Sequence, residues 1–469
     1  MKLKSIFTNS FGILVSRVTG LVRTMLISAT LGATGYSDMF YVAFKFANMF
    51  RRIFAEGAFT QAFMPSFIQA KQKGVFATTI FLRFMLFIIA MSLMVTIFPE
   101  LVTKIIAGGF SNEKIAQTAT LTAINFWYLD FIFVVTFIGT LLQYKEHFIT
   151  TAMSTMLLNI SMIIALYIYM NEDPMTILYA LSISVLIGGA LQVITHIIAL
   201  KKNNMLRLLT GGWKYRKTKN VTEENKKFNK LFIPSVWGNS SPQFASFLDT
   251  FLASFFVTAG SISYLFNANI IFQLPLGLIA IATASALFPS ISKAIGRGDE
   301  DAVHDNLGKA FWLLAFSLSI AALGAILFSE VIVWLLFEHG KYTHLMTIET
   351  AKVLSMYMIG LLPYGFAKLF SMFLYASHKH TKAAKIATIA LIVNMIFSLL
   401  LMKPMGAMGL ALAGSIGGWT LFILTIKEVG FHKFLHILKD KKLLYLASIL
   451  VILSIVFYFL NQWLITLIR

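Results

Sequence analysis

Apolar runs of about twenty residues recur from one end of this chain to the other, and they leave it few folds to adopt. A run of that length and polarity crosses a bilayer as a helix, because lipid offers no partner to an unpaired backbone N–H or C=O. At 58% apolar residues, 13% charged residues and a mean hydropathy of +0.78, the 469-residue sequence lies above the apolar share of about 45–50% usual in soluble domains. The fold class it predicts is an all-α polytopic membrane protein. A window of about 19 residues places thirteen spans, near 7–31, 37–66, 77–99, 118–142, 148–170, 176–199, 231–257, 261–288, 310–336, 351–376, 383–402, 408–427 and 443–465. The absence of cysteine excludes disulfides and thiol chemistry.

The net charge of +19 raises nucleic acid as a partner, and the distribution of that charge argues against it. Basic residues gather in alternate loops: Lys2 and Lys4, Lys71 and Lys73, Lys145, the stretch 201–230, Lys293 and Arg297, 379–385 and 427–442. That alternation is the positive-inside pattern, which predicts a cytoplasmic N-terminus, a cytoplasmic loop 201–230 and, after thirteen spans, a periplasmic C-terminus. The first segment is too long and too charged to read as a cleaved signal peptide.

An internal repeat divides the chain. Ala62-Phe63-Met64-Pro65-Ser66 is echoed by Ala286-Leu287-Phe288-Pro289-Ser290, each followed at matching distance by basic residues and a glycine, and Gly35 and Gly260 open the corresponding helices. The expected organisation is an N-terminal six-helix lobe at 1–200, a basic linker at 201–230, a C-terminal six-helix lobe at 231–430, and an amphipathic linker with one extra helix at 431–469. Six spans per lobe make the repeats parallel, a pattern that encloses a central cavity. The loop 201–230 carries ten Lys or Arg against Glu223 and Glu224, with Trp213 and Tyr215 among them. It reads either as a topology-setting linker or as a surface lying on anionic lipid.

Arg17, Arg23, Asp38, Lys45, Arg51 and Arg52 fall inside the first two spans, with Glu56 close behind. An arginine at the centre of a lone span costs about 2.5–3.5 kcal/mol, so these groups must face a cavity lined by water or protein. Five cations stand against two carboxylates, and the excess points to an anionic cargo. At about 100° per residue Asp38, Lys45, Arg52 and Glu56 form one stripe and Arg51 lies off it, while Arg17 and Arg23 need a bend at Gly20 to meet one ligand. The competing reading is that the acids and bases only neutralise one another.

These residues carry a resemblance. Ser16-Arg17-Val18-Thr19-Gly20-Leu21-Val22-Arg23, Ser37-Asp38, Val42-Ala43-Phe44-Lys45 and above all the run from Asn48 through Arg51-Arg52-Ile53-Phe54-Ala55-Glu56-Gly57-Ala58-Phe59 to Pro65 resemble the signature of the MurJ (MviN) family, in the multidrug/oligosaccharidyl-lipid/polysaccharide exporter superfamily. The resemblance implies a transporter, not an enzyme, that flips lipid II from the cytoplasmic to the periplasmic leaflet of the bacterial inner membrane for cell-wall synthesis. It implies lipid II and membrane lipids as partners, with peptidoglycan synthases beside them. It also assigns Arg17, Arg23 and Arg51 to the head group, Asp38 to holding an arginine or to the gate, and Lys45, Arg52 and Glu56 to supporting places. Arginine's planar fork suits a pyrophosphate.

The chain departs from the family pattern in three places. Thr24 stands where many relatives have an Asp, Asn269-Ile270 where many have an Asp-Arg pair, and there is sequence for one extra helix where relatives often have two. Lys368 in the tenth span is the candidate to replace the missing cation. Some relatives bind sodium, for which Asp249 and Asn394 could supply oxygens, although Ser398 replaces a second carboxylate. The pair His432 and His436 reads as a solvated face, since no third metal ligand accompanies it. No phosphate-loop motif is present, so energy is expected from an ion gradient, the membrane potential or consumption of the product. A flippase for another lipid-linked sugar, such as O-antigen, shares this physics and is the alternative. An acidic-cavity drug antiporter conflicts with the cation excess.

Overall fold

The computed structural model describes residues 3–256, 258–377, 379–439 and 441–468; certain side chains within helices, including those of Glu56, Phe288 and Pro289, lie outside the description, as does His378. Two compact units divide the chain, Met1–Phe255 and Phe256–Arg469. The first contains α1 (Leu3–Leu31), α2 (Gly35–Phe50), α3 (Thr60–Gln69), α4 (Lys73–Ile97), α5 (Pro99–Ile106), α6 (Asn112–Phe126), α7 (Tyr128–Tyr144), α8 (Ile149–Tyr169), α9 (Pro174–Lys202), α10 (Leu206–Tyr215) and α11 (Thr222–Phe256). The second contains α12 (Ser261–Pro275), α13 (Ala282–Gly296), α14 (Glu300–Leu327), α15 (Ser329–Phe337), α16 (His344–Ile359), α17 (Leu361–Ala376), α18 (His380–Val429), α19 (Phe431–Leu438) and α20 (Lys442–Ile468). Among the described residues there is no strand, and ten helical stretches are long and apolar enough to cross a membrane.

One of those stretches, Thr381–Val429, is far longer than one span needs. It breaks at Gly406, whose backbone (φ 58°, ψ −136°) is open to glycine and closed to most side chains, two residues after Pro404. The break falls between the two spans predicted at 383–402 and 408–427.

A feature that hydropathy does not reveal joins α2 to α3. Arg51–Phe59 forms a π-helix, with i→i+5 hydrogen bonds, so the helix continues through the signature with a wider turn. The second unit has a counterpart at Leu276–Ile281, between α12 and α13. Each π segment begins sixteen residues after the glycine, Gly35 or Gly260, at which its helix opens. The two units therefore share a backbone irregularity at the same register as well as a sequence echo.

The first unit is packed with aromatic rings against its π segment. Phe59, the last π residue, stacks on Phe63 at 5.1 Å and meets Phe84 and Phe133 edge-on at 5.4 and 5.2 Å. Phe84 reaches Phe228 and Phe232 of α11 at 5.5 and 4.8 Å, which ties the start of α11 to this unit. Between helices already in lipid such contacts replace the hydrophobic effect as the source of cohesion. Helix α20 is mostly exposed and meets the C-terminal end of α14 through Phe457, whose ring lies 5.1 Å from that of the cap residue Phe328.

Helix α10 is seated on α4 by a pair of glycines. A methyl group at Gly212 would come within 2.1 Å of the Gly74 carbonyl oxygen, and one at Gly74 within 2.5 Å of the Leu208 carbonyl oxygen. Gly212→Ala is expected to push α10 off α4 at a cost of about 1–2 kcal/mol, seen as faster proteolysis of the 201–230 loop in the purified protein; unchanged cleavage would contradict the close seating.

Candidate substrate site in the first unit

The site begins on one face of α1. Ser16, Thr19 and Arg23 recur at helical spacing and turn toward Asn159 of α8. The Asn159 side chain acts as a clasp: its Nδ2 donates to the Ser16 carbonyl oxygen at 3.1 Å and to Thr19 Oγ1 at 3.0 Å, while its Oδ1 accepts from Arg23 Nη1 at 3.0 Å. Gly20 lies within this continuous helix beside the clasp, where a methyl group would meet Asn159 Nδ2 at an ordinary contact distance of 3.5 Å.

Arg23 is 8% exposed. Its Nη2 lies 3.4 Å from Thr24 Oγ1, and its guanidinium sits 5.4 Å from the ring of Phe44. These partners are all neutral, Nε has no hydrogen-bond partner among the described residues, and no described carboxylate lies at ion-pair distance. The arginine is thus oriented without being neutralised. A cation kept in a low-dielectric setting without a counter-ion is a binding element for an anion.

The other predicted residues take different places. Asp38 is buried in the first turn of α2, behind a cap in which Thr34 N–H donates to Ser37 Oγ at 2.9 Å, and it interacts electrostatically with Lys114. Arg17 and Arg51 are half-buried; Arg52, the next π residue, is exposed. The expected polar stripe is not a single environment: Asp38 is buried, Lys45 half-buried and Arg52 exposed. Asp38 and Lys45 lie in the regular part of α2, and the π turn changes the angular step only from Arg51 onward. Lys368 lies on α17 in the second unit and is exposed.

Lys45 and Asp249 share one locality in the first unit. Lys45 Nζ donates to Thr250 Oγ1 at 2.6 Å, and the charges of Lys45 and Asp249 act on one another. Asn394 is in the second unit, where its Oδ1 accepts from Ser398 Oγ at 3.3 Å. Asp249 and Asn394 thus belong to different units, each with its own local partners. Among the described residues no group of three His, Asp or Glu could hold a metal. A double-mutant cycle of Lys45→Met with Asp249→Asn is expected to give a coupling of about 0.5–2 kcal/mol in thermal unfolding; additive effects would remove this pairing.

Sequence reasoning missed Asn159, Phe44 and Thr250. The available signal for Asn159 was a single amide in an otherwise apolar span, a residue type that bonds between helices in lipid.

Comparison with known proteins gives the family and the fold. A family profile described as "Lipid II flippase MurJ" matches residues 27–467. A Helicobacter pylori (strain ATCC 700392 / 26695) protein described as "Probable lipid II flippase MurJ" is 45% identical over 446 residues, covering 92% of this chain and 96% of that one. A protein of the same description from Buchnera aphidicola subsp. Acyrthosiphon pisum is 28% identical, covering 98% and 91%. The solved structure "Lipid II flippase MurJ, inward closed conformation" superposes with a TM-score of 0.80 at 26% identity, covering 98% of this chain and 99% of that one. An inward-facing MATE family transporter of the MOP superfamily shares the fold, with a TM-score of 0.67 at 13% identity, covering 93% and 99%.

Proposed function

Because the chain belongs to the lipid II flippase MurJ family, we propose that it carries lipid II from the cytoplasmic to the outer face of the bacterial inner membrane by alternating access, with its N-terminus in the cytoplasm and its C-terminus outside. It is a multi-pass membrane protein, and the work assigned to it is transport, not bond making. The observation that carries the proposal is the buried guanidinium of Arg23, fixed by Asn159 and without a carboxylate at ion-pair distance among the described residues.

The pyrophosphate of lipid II must leave water to cross. A planar guanidinium offers it two parallel donors, and the low dielectric around Arg23 strengthens them. Arg17 and Arg51 supply further positive charge, Asp38 and Lys45 set the field around it, and Arg52, Glu56 and Lys368 are supporting candidates. Peptidoglycan synthases are natural consumers of the product. If the membrane potential drives the cycle, each elementary charge moved contributes about 2.3 kcal/mol per 100 mV.

The test is expression in cells depleted of their own lipid II flippase, with lipid II at the outer face assayed by an externally added lipid II-cleaving enzyme. Restored growth and restored cleavage support the proposal. Correct insertion without either, together with rescue of a strain lacking an O-antigen flippase, would transfer the assignment to another lipid-linked oligosaccharide.

A further inference from the structure

The basic loop between α9 and α11 does more in the structure than connect them. Helix α9 ends on Lys201-Lys202 and turns off through Asn204 in the left-handed region (φ 57°), with the Met205 N–H closing back on the Leu200 carbonyl oxygen at 3.1 Å. Helix α10 starts immediately afterwards. Its inner face, Leu208, Leu209 and Gly212, lies on the first two turns of α4, where Gly74 makes the close backbone contact and Thr78 Oγ1 donates to the Leu209 carbonyl oxygen at 3.3 Å. Since α4 is a spanning helix that begins at Lys73, this contact fixes the depth of α10 at the boundary between hydrocarbon and head groups.

The outer face suits that depth. Leu206 is 38%, Trp213 54% and Tyr215 49% exposed. Arg207, Lys214 and Lys217 are exposed beside them, Arg216 stacks on the Trp213 ring at 3.8 Å, and the Lys214 ammonium lies 5.6 Å from the Tyr215 ring. From Lys201 to Lys219 there is no acidic residue. Exposed aromatic rings on both flanks of the helix, each with a cation beside it, anchored at head-group depth, complement an anionic lipid layer.

We propose that the outer face of α10 is a binding surface for anionic phospholipid of the cytoplasmic leaflet, with Trp213 and Tyr215 set among the head groups and Arg207, Lys214 and Lys217 pairing with their phosphates. The surface is distinct from the Arg23 site and rests only on the topology proposed above. Through the Gly74–Gly212 contact it ties the local lipid composition to the position of α4.

The experiment uses the full chain in nanodiscs containing brominated phosphatidylglycerol or brominated phosphatidylcholine. The chain has seven tryptophans, so the Trp213 contribution is read as the fluorescence difference between the parent and Trp213→Phe. Trp213 is expected to be quenched by both lipids, and more strongly by the glycerol lipid. Retention of phosphatidylglycerol, read by native mass spectrometry, is expected to fall about fivefold for each of Arg207→Gln, Lys214→Gln and Lys217→Gln as they are combined, at unchanged melting temperature. A Trp213 contribution that neither lipid quenches would place this face in water, against a soluble partner, and overturn the proposal. Equal quenching by the two lipids, or full lipid retention by the triple variant, would also overturn it.

Discussion

Arg23→Ala is expected to weaken lipid II binding by at least about thirtyfold and to abolish rescue of flippase-depleted cells. The guanidinium is buried, and its hydrogen bonds go only to neutral groups, so its full charge is available to the ligand. Truncating one partner of a buried, hydrogen-bonded charge pair costs about 2–5 kcal/mol, and 1.4 kcal/mol is tenfold in affinity. The fold should tolerate the change, because Asn159 keeps its bonds to the Ser16 carbonyl and Thr19 Oγ1, which still join α8 to α1. Arg23→Lys retains charge and loses the planar fork, so its affinity is expected to fall between those of the parent and the alanine variant. Binding of purified variants to lipid II in detergent decides the matter; an alanine variant within about twofold of the parent would remove Arg23 from the site.

Asn159→Asp should produce a loss of at least about tenfold in the same assay without touching the arginine. The new carboxylate occupies the position of Asn159 Oδ1, 3.0 Å from Arg23 Nη1, and turns a neutral bond into an ion pair. The carboxylate also takes the place of Nδ2 and loses its donations to the Ser16 carbonyl and Thr19 Oγ1, so some stability is lost as the ion pair is gained, and binding is expected to fall further than the loss of stability accounts for. A role for Asn159 in packing alone predicts that Asn159→Ala, which loses the same clasp without adding charge, lowers binding as much as the aspartate does. Asn159→Gln, which is neutral, should retain more binding than the aspartate.

The sequence disclosed a good deal of this arrangement, for identifiable reasons. Apolar runs are a direct consequence of bilayer thickness, so helices cover the predicted segments, and Pro404 with Gly406 marks the break in α18 because those residues constrain the backbone locally. Arg23 was conspicuous because charge in an apolar run is costly. The π segment at Arg51–Phe59 was hidden, since i→i+5 bonding leaves no periodic trace in nine residues. Asn159 was hidden because its importance comes from packing against a helix 136 residues away. The electrostatic interaction of Asp249 with Lys45, far away in sequence, was hidden for the same reason. Contacts of that range are set by tertiary structure, and no local pattern encodes them.

The central claim is that Asn159 orients Arg23 while leaving its charge uncompensated for a pyrophosphate. It is tested most directly by the amount of lipid II at the outer face of flippase-depleted cells carrying the parent or Asn159→Asp at matched membrane levels. The parent is expected to restore outer-face lipid II, and the aspartate variant, folded and inserted, is expected not to. Restoration by Asn159→Asp to the level of the parent would contradict it.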